Sequence, residues 1–132
     1  MDTIRDGDSI LAIIYRDSDW RPGLNFPTPE QLFVQAGCWQ YEAGRQLQAH
    51  RHIFHERRVT MTQEVTYVKR GRIKVTVYNH DNQIASEFEL NAGDFAVLAY
   101  GGHGYEILED NTQVLEVKNG PFIDVASDKE NL

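Results

Sequence analysis

The chain has one cysteine, Cys38, among 132 residues. A disulfide framework is therefore excluded, and a cytoplasmic location is the expectation. No stretch approaches the roughly 20 apolar residues that a membrane-spanning helix needs, so no membrane association is expected. The opening, MDTIRDGDSI, begins with acids and lacks a long apolar run, which argues against a signal peptide. Positive charge is scarce: 13 Lys and Arg stand against 20 Asp and Glu, for a formal net charge of -7. Without a basic stripe to neutralise phosphates, nucleic acid is not an expected partner. The surplus of acid mainly favours solubility. Three of the four prolines fall within RPGLNFPTPE, residues 21–30, which marks irregular chain. Repeats, low-complexity tracts and linkers are absent, and no segment carries a long helical period.

What is present reads as short strands. SILAIIYR (9–16) is apolar and rich in isoleucine, a first strand or a short helix. LFVQAGCWQYEAG (32–44) reads as a strand that stops at Gly44, and LQAHRHIF (47–54) as the next. In the run that starts at Glu64, Val65, Tyr67, Ile73, Val75 and Val77 alternate with polar residues, the period of a half-buried strand. Arg70 and Gly71 break that run, and NHDNQ (79–83) supplies the turn of a hairpin. FAVLAY (95–100), GYEIL (104–108) and TQVLEVK (112–118) are further strands. Eight or nine short strands with closely spaced turns predict an all-β sandwich or barrel in one domain, 1–132. A closed barrel would leave a cavity for one small ligand.

Three of the five histidines lie in GRQLQAHRHIFHERRVTMTQEVTYVKRG, residues 44–71. On a strand, His50 and His52 point to one face, with Cα atoms roughly 6.6 Å apart. Two such imidazoles can converge on one metal ion, with a further ligand drawn from another strand. His55 and His80 read as solvated residues, as do Arg57 and Arg58, and Cys38 as a small buried hydrophobe. Tyr105, Lys118, Arg45 and Gln40 are candidates to point inward, although one residue of register reverses the face.

The spacing around the histidines carries a resemblance. GRQLQAHRH followed by EVTYVKRG places Gly, five residues and His-x-His before Glu, six residues and Gly; GDFAVLAYGGHG (93–104) has a Gly-Asp, an apolar strand, a tight turn and a histidine. These two stretches resemble the two motifs of the cupin superfamily, over roughly residues 32–118. The resemblance implies a double-stranded β-helix, or jelly roll, closed as a small antiparallel barrel. It also implies one divalent transition metal (Zn, Fe, Mn or Ni) held by His50, His52, Glu64 and His103. The gap between His52 and Glu64 is longer than the family's usual one. Glu56 meets the short gap but lacks the following glycine, so Glu64 is preferred. The turn AYGGHG lacks the proline common in the second motif.

GGHGYEILEDNTQVLEVKNGPF with TQEVTYVKRGRIKV also resembles small single-domain cupins of bacterial surface-polysaccharide and nucleotide-sugar gene clusters. That likeness implies an enzyme acting on a sugar or nucleotide-sugar intermediate by isomerase- or epimerase-like proton transfer, with His50, His103 and Tyr105 as candidate catalytic residues. Two other outcomes are open at this stage: an iron-dependent cupin dioxygenase, and a non-catalytic ligand-binding cupin with a structural metal or none. Small cupins often pair, and the apolar run SILAIIY and the strand around Trp39 are expected to supply a homodimer interface.

Overall fold

The computed structural model describes all residues, 1–132, and is nearly all β. Ten strands run in chain order: β1 (Asp2–Asp6), β2 (Ser9–Tyr15), β3 (Gly23–Asn25), β4 (Cys38–Gln40), β5 (Glu64–Arg70), β6 (Arg72–Tyr78), β7 (Ile84–Asn91), β8 (Phe95–Leu98), β9 (Gly102–Ile107) and β10 (Gln113–Lys118). One short helix, α1 (Val125–Asp128), follows them. A five-stranded sheet has the order β1-β2-β8-β5-β10, and a three-stranded sheet the order β7-β6-β9. β3 and β4 form a two-stranded ribbon. All pairings are antiparallel.

The five-stranded sheet is covered on both faces. On one side Ala12, Ile14, Val68, Ala96 and Leu98 pack against Ile73, Val75, Val77 and Leu90 of the three-stranded sheet. On the other, Ile10, Ile13, Tyr15, Phe95 and Val97 pack against Leu32 and Val34 from the irregular segment before β4 and against Cys38, the first residue of β4. A strand buried on both faces reads as a continuous apolar run, which is why SILAIIY shows no alternation. The seven residues run from intermediate at Ser9 to buried from Ile10 to Tyr15. They belong to the chain's own core and are not free for the dimer interface expected of them.

A bulge in β2 sorts these side chains. Ile4 pairs with Ala12 and Arg5 with Ile10, so Leu11 is the extra residue. Two neighbours, Leu11 and Ala12, then enter the same inter-sheet core, and Ile10 turns to the opposite face. Simple alternation would have placed Leu11 on the face of Ile13.

Elsewhere the expected strands form with shifted ends. The alternation of Ile73, Val75 and Val77 lies on β6, each 0–1% exposed, with polar residues between them facing out. The 32–44 segment contributes only Cys38–Gln40 as strand, and Leu32 and Val34 plug the sheet as irregular chain. LQAHRHIF forms no strand. Every residue from Trp39 to Met61 is exposed, and residues 41–63 have no regular structure. The two main sheets face each other without closing into a barrel: β10 ends one sheet, β9 the other.

Candidate functional site

β5 enters the five-stranded sheet at Glu64, and the two-residue period puts Glu64, Thr66 and Val68 on its inner face. Val68 continues into the core, whereas Glu64 and Thr66 lie beyond it, buried beside the partly exposed His103 and Tyr105. Across from them, β9 pairs with β6 so that His103 stands opposite Val77 and Tyr105 opposite Val75. Since Val75 and Val77 face the core, His103 and Tyr105 also point between the sheets. Lys118, the last residue of β10, pairs with Glu64 in the ladder.

These side chains converge on one carboxylate. Glu64 is 3% exposed. Its Oε1 accepts from Tyr105 Oη at 2.6 Å and lies 3.0 Å from His103 Nε2. Its Oε2 is 3.1 Å from Lys118 Nζ, which also meets Glu116 at 3.0 Å. Thr66 Oγ1 and Tyr105 Oη are 2.7 Å apart. Because the phenol proton goes to the carboxylate, the threonine is the donor of that second bond.

The electrostatics follow from this geometry. Burial on its own would raise the Glu64 carboxyl. Hydrogen bonds from His103 and Tyr105, the His103 charge and the Lys118 ammonium outweigh it and hold the group at about 2. Tyr105 is pushed far up, first by burial of its hydroxyl end and then by the neighbouring Glu64 carboxylate, so it stays a protonated donor. For Lys118, burial acts downward, but the bonds to Glu116 and Glu64 prevail and keep it an ammonium. The cluster thus presents a fixed carboxylate, a fixed cation and an imidazole whose Nε2 is engaged by the carboxylate. In the neutral ring that leaves Nδ1 as the free acceptor. The His103 side chain is 33% exposed, so solvent and solutes reach it.

Of the residues singled out from the sequence, Glu64, His103 and Tyr105 come together. His50 and His52 do not join them. Both lie in the exposed 41–61 segment, their rings 5.5 Å apart and nearly perpendicular, with His50 Nδ1 3.0 Å from Gln48 O. Glu56 is exposed in the same segment. Nowhere do three or more His, Cys, Asp or Glu side chains gather as metal ligands. The implied quartet is split in two, and both oxygens of Glu64 are already engaged, one of them by an ammonium. This donor set does not fit a metal ion.

Two members of the cluster carried less signal. Lys118 was only one of several candidates to point inward. Thr66 was not singled out, although it follows Glu64 by two residues and shares its face. Cys38 is buried as expected, and burial raises its thiol. His80 lies exposed in the β6–β7 turn.

No protein-family model, curated protein or solved structure matches the chain.

Proposed function

We propose that the protein is a small cupin-type jelly roll that transfers a proton next to a carbonyl of a small polar metabolite, such as a sugar or nucleotide-sugar intermediate, without a metal. The observation that carries this reading is the His103–Glu64 pair at an open mouth, with Tyr105 and Lys118 on the same carboxylate. A buried carboxylate that engages one imidazole nitrogen orients the ring and supports the charge it acquires when the other nitrogen takes a proton. His103 is then the base that removes a proton from a hydroxyl-bearing carbon beside a carbonyl and returns it to the former carbonyl carbon, while the hydroxyl proton passes to the former carbonyl oxygen. Lys118 supplies fixed positive charge for the oxygen that becomes negative meanwhile. Tyr105 holds Glu64 in place by its short bond and offers its ring edge to the mouth, being 40% exposed.

The test is isotope exchange. Keto sugars, free and linked to nucleoside diphosphates, are incubated with the protein in deuterium oxide and followed by proton NMR. Loss of signal from a carbon-bound proton beside the carbonyl is expected. It should be unchanged by a chelator and slowed about 10²–10⁴-fold in His103→Asn, the range for losing a general base. Binding without exchange for every ketone tried would leave a ligand-binding protein in place of an enzyme. Exchange abolished by the chelator would reject the metal-independent reading.

A further inference from the structure

We infer that residues 41–61 form an arm that docks on a second copy of this chain, adding a strand along the free edge of β9 and bringing His50 and His52 to the mouth that holds Glu64 and His103.

The arm is not accounted for by its own body. From Ala43 to Thr60 its hydrogen bonds are local, namely Arg45 N to Glu42 O, Gln48 Nε2 to Ala49 O, and the His50–Gln48 contact. Yet Ile53 is 83% exposed and Phe54 95%. Two neighbouring large apolar side chains held in water on an extended segment are what a docking strand presents.

The complementary surface is β9. It ends the three-stranded sheet, so one side of its backbone has no strand beside it. Leu108 N donates to Arg72 O, and the alternation of an antiparallel ladder then turns the amides of His103, Tyr105 and Ile107 away from β6. An edge of this kind is a template for one more strand. The edge is apolar where it is most open, at Ile107, 61% exposed, and Val114 of β10, the edge of the other sheet, is 41% exposed.

Side-chain period selects the face. His50, His52 and Phe54 share one side of an extended arm, and Arg51 lies on the other. With the first set turned toward the mouth, the imidazoles approach Glu64 and His103, and Phe54 meets the apolar edge. Arg51 then emerges on the outer face, where Glu106 of β9 binds Lys74.

Charge and symmetry favour a second copy as the occupant. Residues 41–61 hold Arg45, Arg51, Arg57 and Arg58 against Glu42 and Glu56, a net +2, which leaves -9 on the rest of the chain. Each copy carries one basic arm and one acidic body with an open edge. A two-fold axis satisfies both arms and both edges at once and leaves none over.

Two measurements test this together. Sedimentation velocity should show a dimer for the wild type and a monomer for the Ile53→Asp, Phe54→Asp double variant, which should stay folded by circular dichroism because neither residue touches the core, and should lose the concentration dependence that the wild-type dimer shows in its melting. In mixed samples, unlabelled chains carry a nitroxide at His55→Cys, and ¹⁵N-labelled chains carry none. Broadening of the labelled His103–Ile107 amides is expected, because the arm comes from the other chain. A monomeric wild type, a dimer that survives the double substitution, or β9 amides that stay sharp in the mixture would each overturn the inference.

Discussion

Tyr105 Oη stands 2.6 Å from Glu64 Oε1, a hydrogen bond that joins β9 of one sheet to β5 of the other. The core cluster below it is apolar, and this bond, the Thr66–Tyr105 bond and the His103 contact are polar ties across the gap at this end. The strength of the two that reach Glu64 depends on the ionised carboxylate, which makes the top of the fold sensitive to acid.

Glu64 should therefore stabilise the protein in a pH-dependent way. Its folded carboxyl titrates at about 2, below the ordinary 4.5. A depressed group contributes stability that is complete above its unfolded value and is lost as pH falls through its folded value. The difference amounts to about 3 kcal/mol. Urea unfolding of wild type and Glu64→Gln should differ by about this amount at pH 6–7, and the two should converge between pH 4.5 and 2. A gap that stays constant over that interval would assign the effect to packing.

Removing the ammonium should show itself at the carboxylate. Lys118→Met takes away one of the charges that hold Glu64 down, so the Glu64 midpoint should rise by about one unit or more. Carbon-13 NMR of the Glu64 carboxyl across an acid titration reads this directly. An unmoved midpoint would mean that the Nζ–Oε2 contact of 3.1 Å carries little weight in solution.

Gly101 should tolerate no side chain, whereas Gly104 should. Gly101 has φ +71°, and a Cβ there would overlap the carbonyl oxygen of Tyr78. Gly101→Ala is expected to cost about 2 kcal/mol or more and to displace His103, two residues on. A Cβ on Gly104 meets nothing within 4 Å, so Gly104→Ala should stay within about 0.5 kcal/mol of wild type. Thermal melts of the two variants side by side make the comparison.

Leu90 is 0% exposed between the sheets, among Ile73, Val75 and Leu98. Leu90→Ala should destabilise by about 2–5 kcal/mol through lost burial and the cavity left behind. The His103–Glu64 contact should survive in whatever fraction stays folded.

Much of this was legible in the sequence where only one face of a strand is buried. β6 shows it best: Ile73, Val75 and Val77 alternate cleanly because solvent lies behind them. β5 is harder. Its visible alternation, Val65 and Tyr67, lies against the second core, and the inner face carries Glu64, Thr66 and Val68. β1 went unseen because the edge strand DTIRD sends only one apolar residue, Ile4, against the core, too few to show a period. The segment LQAHRHIF has the composition of a strand, but strand structure needs a neighbour, and composition cannot say where the neighbour is. Likewise Glu64 and His103 were brought together only by the resemblance of their two stretches to a family's motifs, whereas Lys118 enters through sheet pairing 54 positions away, which local pattern does not encode.

Gln63 separates the arm from the carboxylate. It is 1% exposed, its Oε1 accepts from the amides of Phe33 and Val34, and its own amide donates to Asn119 Oδ1. Thr62, just outside it, is half-buried and bonded to Asp128, the chain before that is exposed, and the residue just inside it is Glu64. Gln63 thus works like the clamp where a cable enters a housing: pull on the free length ends there. Insertions, truncations or new partners in the arm can come and go while the carboxylate keeps its place in its own chain.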